Sequence, residues 1–160
     1  MAEQPLDISL NLGDTKTAIP TIADGHVCRL KLVNLTQGAN EKGKDLKWEY
    51  ELQDPAPDSD GGTITPGAMG SKIFEHIQLY AKPDAKDPKW FEKKIATRID
   101  ALMGTGDKEN KKGKPVRPDL SAQLVPQLIG KTLVAKMRVK TGDYTGNEIA
   151  SVTFPGDIAA

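Results

Sequence analysis

"LKWEYELQ", residues 46–53, alternates without a break: Leu46, Trp48, Tyr50 and Leu52 fall on one side, Lys47, Glu49, Glu51 and Gln53 on the other. Successive strand side chains point to opposite faces, so this period predicts a strand with one face in the core. The same period recurs on either side of it. Upstream, "HVCRLKLVNL" (26–35) sets Cys28, Leu30 and Leu32 against Arg29 and Lys31, and "TQGANEKGK" (36–44) reads as a flexible hairpin loop carrying Lys42 and Lys44. Downstream, "DPAPDSDGG" is a turn cluster, and "TITPGAMGS" is strand-like but broken by Pro66 and Gly67, as at a bulge or an edge. "KIFEHIQLY" (72–80) alternates again, with Ile73, Ile77 and Leu79 toward a core and Phe74, His76, Gln78 and Tyr80 away from it. A helix could cover that second face, or a ligand could.

The period then changes. In "KPDAKDPKWFEKKIATRIDALMG" Phe91, Ile95, Ile99, Leu102 and Met103 recur at helical spacing, with Lys93, Lys94 and Arg98 largely off the stripe. Asp87 fits the N-cap, Pro88 the first helical position and Gly104 the stop. Residues 104–118 lack apolar periodicity, carry a local excess of positive charge and read as a mobile basic loop. A short helical turn near Pro126 follows. "KTLVAKMRVK" and "NEIASVTF" are then two strands joined by the Gly-rich "TGDYTG".

This order predicts a mainly β fold with one helix: a five-stranded antiparallel barrel of the oligonucleotide-binding (OB) type, with the helix after the third strand. The expected organisation is an N-terminal arm over 1–24, one binding domain over 25–154 and a short C-terminal tail over 155–160. At 160 residues the chain suits a single domain. It has no apolar run of membrane-spanning length and begins without the pattern of a signal peptide, so a cytoplasmic protein is expected.

Most chemistry finds no support. Gly130-Lys131-Thr132 ends like a phosphate-binding loop, but Val125 stands where that motif needs glycine, and a strand follows where it needs a helix. The lone Cys28 lies on the apolar side of a strand and reads as a small buried hydrophobe. His26 and His76 have no partner suggested by spacing, and the pair Glu49 and Glu51 lacks a third ligand. The expectation is no enzyme, no cofactor and no metal.

Net charge is zero, but its distribution is uneven. Lys131, Lys136, Arg138 and Lys140 face no acid over 131–140, while Glu49, Glu51, Asp54, Asp58 and Asp60 collect in one run. Single-stranded nucleic acid is held by cations along its phosphates and by rings on which bases stack. Arg29, Lys31, Lys136, Arg138 and Lys140 on strand faces, Lys42 and Lys44 in a loop, and Phe74, Tyr80 and Tyr144 as rings are the candidate contacts; Lys111, Lys112 and Lys114 add loop charge.

The segments "GHVCRLKLVN", "LKWEYEL", "IDALMG", "LIGKTLVAKMRV" and "YTGNEIASVTF", spread over residues 24–154, resemble a family of phage-encoded single-stranded DNA-binding proteins of the OB type. The resemblance implies a protein that coats or protects single-stranded DNA, without sequence preference, during phage replication or recombination. It implies single-stranded DNA as partner, with phage or host replication and recombination proteins and self-association as further candidates. "PGDIAA" carries one acid where many such proteins have an acidic tail, so the resemblance does not extend to recruitment by that route. The alternative is a non-catalytic phage interaction or structural module whose ring-bearing strand face is covered by the helix.

Overall fold

The computed structural model describes residues 8–10, 20–41, 43–80, 84, 86, 89–106, 116–141 and 146–157. In chain order the strands are β1 (Val27–Asn40), β2 (Gly43–Leu52), β3 (Ala56–Pro57), β4 (Thr63–Ile64), β5 (Lys72–Gln78), β6 (Thr132–Lys140) and β7 (Gly146–Thr153). The helices are α1 (Trp90–Met103) and the single turn α2 (Val125–Leu128). Five strands form one antiparallel sheet in the order β5-β2-β1-β6-β7, and β3 pairs with β4 apart from it.

Alternation decides which side chains go inside. Leu46, Trp48, Tyr50 and Leu52 of β2, Ile73 and Ile77 of β5, and Leu133, Ala135 and Met137 of β6 are all buried, as are Cys28, Leu30 and Leu32 of β1. Leu32 and Leu35 both point inward although they are three positions apart, an odd spacing that would set them on opposite faces, because the β1–β2 register shifts between Leu32 and Asn34. Helix α1 lies on the inner side, burying Ile95, Ile99, Ala101 and Leu102, and it ends at Gly104 with φ +70°. That left-handed turn is open to glycine, and a Cβ there would also meet the Phe154 ring at 2.7 Å.

Several expectations need correction. The sheet is not closed into a barrel: β5 and β7 are its two edges, and no ladder joins them. Residues 20–23 occupy the seam instead. Asn147 of β7 accepts the Ile22 N–H at its Oδ1 (2.7 Å) and donates to the Ile22 carbonyl (2.9 Å), so one side chain does what a neighbouring strand's backbone would. Ile22, in the stretch read as an arm, is completely buried.

Helix α1 follows the fifth strand, not the third. The stretch 54–71 folds into β3, β4 and a turn over Thr65–Ala68, in which Ala68 N–H donates to the Thr65 carbonyl and Gly67 takes φ +81°. The expected loop over 36–44 is mostly ladder, since β1 and β2 stay paired out to Asn40 and Gly43. The helix cap falls at Lys89, whose side chain caps nothing; Asp87 and Pro88 lie outside the described residues. Arg98, read as largely off the helix stripe, is buried. Among the described residues no helix is long and apolar enough to cross a membrane.

Candidate nucleic-acid interface

Arg98 is buried because β5 has a glutamate facing it. Strict alternation puts Glu75 between Ile73 and Ile77 on the inner face, where it is 8% exposed. Arg98 donates to it through two nitrogens, Nε to Oε1 at 2.9 Å and Nη2 to Oε2 at 2.5 Å. This forked pair fastens α1 to the inside of β5. The helix therefore cannot lie over Phe74, which stands on the opposite face and remains 44% exposed.

The inner face also holds Tyr50, whose OH, like Trp48 Nε1, is buried without a hydrogen-bond partner among the described residues. Burial, and then the nearby Glu75 charge, push the Tyr50 hydroxyl well above its ordinary pKa, with Arg98 opposing. Burial, and then the Asp54 charge, push the Cys28 thiol up to about 11. A protonated, buried thiol is a poor nucleophile.

The outer face is largely exposed, with Val134, opposite Arg29, buried in it. In register across it, Phe74 lies opposite Glu49 and Glu49 opposite Asn34; Lys72 lies opposite Glu51 and Glu51 opposite Lys31. Arg29 follows Lys31 two residues back on β1, and Lys136 is its diagonal neighbour on β6, a Cα separation of about 7–8 Å in such sheets. Phe74, Lys72, Lys31, Arg29 and Lys136 thus mark one diagonal from β5 to β6, on the order of 25 Å long by strand geometry.

The charges on this face divide by partner. Lys72 lies 3.6 Å from Glu49, His76 pairs with Asp45 at 3.3 Å, and Arg138 donates from Nε to Glu148 Oε1 at 2.5 Å. The Lys47 ammonium lies 4.8 Å from the centroid of the Phe74 ring, a cation–π contact. Arg29, Lys31, Lys136 and Lys140 make no ion pair among the described residues and are exposed.

Not all ten candidate contacts converge. Arg29, Lys31, Lys136 and Phe74 share the diagonal. Arg138 shares the face but is committed to Glu148, and Lys140 ends β6 opposite Gly146. Lys44 and Tyr80 sit together at the far end of the β2–β5 ladder, where Leu79 N–H donates to the Lys44 carbonyl; Tyr80 is 40% exposed. Lys42 and Tyr144 lie outside the described residues, as do Lys111, Lys112 and Lys114. Lys47 and Lys72 were not among the expected contacts, although both alternate onto the ring-bearing face and that alternation would have found them.

Among the described residues, no group of three or more His, Cys, Asp or Glu is placed to hold a metal ion. Compared with models of known protein families and with curated protein sequences, the chain matches none.

Proposed function

We propose that the protein binds single-stranded DNA without sequence preference and without catalysis, coating or protecting it during phage replication or recombination in the host cytoplasm. The observation that carries this reading is the diagonal: an exposed ring at one end and the cations Arg29, Lys31 and Lys136, which make no ion pair among the described residues, along the rest, on a sheet face the helix leaves uncovered. Rings hold bases by their faces whatever the base, and cations hold phosphates whatever the sequence. The strand order is compatible with an OB-type sheet left open along one seam, a fold class that binds oligonucleotides on its strand faces. Glu49 and Glu51 lie on the same path, so the field is mixed and binding should be strongest at low ionic strength.

The test is fluorescence anisotropy with labelled oligo(dT) of about 30 nucleotides over a range of salt, beyond the span of one such domain. Affinity should fall steeply with salt. A triple variant, Arg29→Ala, Lys31→Ala and Lys136→Ala, should lower the log–log salt slope by about 2, at about 0.7 for each phosphate no longer neutralised. No binding by the wild-type protein at low salt rejects the reading. The second reading, a non-catalytic interaction module, would present the same sheet face, with Phe74 exposed on it, to a protein partner.

A further inference from the structure

Phe74 belongs to two surfaces at once. On the outer face it receives the Lys47 ammonium; toward the seam it lines, with Pro20, Lys72, Ile73, Gly146 and Asn147, a cleft of about 220 Å³. That volume lies under the roughly 300 Å³ at which sites for drug-sized ligands begin. It suits one ring system and excludes a dinucleotide cofactor.

The chemistry of the walls narrows the occupant further. Pro20, Ile73 and Phe74 are apolar, and Lys72, 3.6 Å from Glu49 and with its side chain 55% exposed, supplies a cation at the lip. The polar side chains of the cleft are already committed. Asn147 spends both ends of its amide on Ile22, and the Thr21 hydroxyl is hydrogen-bonded to Ser59. Among the described residues, the amide and hydroxyl side chains of the cleft thus already have partners inside the protein. A pocket with apolar walls, an aromatic ring, a cation at its rim and no free side-chain amide favours a flat ring without identifying it.

We infer that the seam cleft takes one unstacked nucleobase of the bound strand against Phe74, with the adjoining phosphate at Lys72. This inference rests on the single-stranded DNA reading and adds a location for a base outside the open sheet face. It makes the seam, left unclosed between β5 and β7, a part of the binding surface.

Gly146 gives a way to test it. A Cβ at this residue would meet nothing within 4 Å, and its φ is not in the left-handed region, so Gly146→Leu adds bulk at the cleft wall without straining the backbone. With the full chain, Gly146→Leu should keep the wild-type melting temperature and raise the Kd for oligo(dT) roughly tenfold, the loss of one stacked base. If Gly146→Leu binds like wild type while Arg29→Ala and Lys136→Ala bind more weakly, strand binding stands and the base pocket is overturned. If the wild-type protein binds no oligo(dT) at low salt, the functional reading fails and the pocket with it. If Gly146→Leu does not fold, titrating nitrogen-15-labelled wild-type protein with oligo(dT) decides: saturating shifts of the amide signals of Gly146 and of Gly70, which also lines the cleft, support the pocket, and unmoved signals overturn it.

Discussion

The two faces of β5 carry the same kinds of residue to opposite ends. On the inner face Glu75 sits among Ile73 and Ile77 and is held by Arg98 from two directions; on the outer face Phe74 is open to solvent, with cations around it that are loosely paired or unpaired. A buried charge is tolerable only if paired, because leaving it unpaired costs several kcal/mol. An exposed cation costs nothing and can wait for a partner. Charge and aromaticity alone therefore do not mark a site in this molecule; what distinguishes the faces is whether the hydrogen-bonding and charge demands are already met.

The contrast can be broken most forcefully on the inside. Arg98→Met leaves the Glu75 carboxylate with only the Lys94 ammonium, 3.9 Å away, and should cost up to about 3–5 kcal/mol in chemical denaturation, whereas Glu75→Leu combined with Arg98→Met should recover most of that loss. A single variant no worse than the double would mean the pair is not what fastens α1. Next in size is Phe74→Ala, which should weaken oligo(dT) binding by about 1–3 kcal/mol while changing stability by less than about 1 kcal/mol. The reverse pattern, lost stability with intact binding, would make Phe74 a packing residue.

Raising the pH probes the inner face again. The Cys28 thiol is raised from 9.0 to about 11 in the folded state, so the unfolded chain releases its proton first as pH rises. The stabilisation is complete below pH 9 and is lost between pH 9 and about 11, at no more than about 1.4 kcal/mol per pH unit for one group. Cys28→Ala should show a shallower decline over that window. What decline remains above pH 10 belongs in part to Tyr50, shifted in the same direction. The smallest effect is expected at Arg138→Ala, whose exposed pair with Glu148 should contribute only about 0–1 kcal/mol to melting or denaturant stability.

Much of this arrangement could be read in the sequence. Period two over 46–52, 72–78 and 132–140 marked strands and their buried sides, and the stripe from Phe91 to Met103 marked the helix with its stop at Gly104. The pair of Glu75 with Arg98 does not follow from residue type, which leaves Glu75 unassigned and sets Arg98 largely off the helix stripe. Their signal was present: each falls at an inward-facing position of its own period, and their charges are opposite. The spacing of Leu32 and Leu35 likewise carried the bulge in β1. Closure of the sheet was not legible, since it depends on which segment reaches the gap between β5 and β7. That contest was settled by Asn147 gripping the backbone at Ile22, a contact no local period foretells.

That grip also orders events in time. The two residues are 125 apart in the chain, and Asp24 likewise accepts a hydrogen bond from Val139 N–H across 115 residues. During synthesis the first part of the fold to emerge must wait for the last strand before its hydrogen bonds are complete. The β1–β2–β5 meander can pair early from neighbouring segments, and residues 21–23 can join Pro57, Asp58 and Ser59, but Ile22 and Asp24 lack their bonds to Asn147 and Val139 until β6 and β7 have left the ribosome. The seam is the last part of the molecule to be finished, and truncation before residue 147 should leave a paired meander whose residues 21–23 keep their contacts to residues 57–59 but lose the Asn147 clamp.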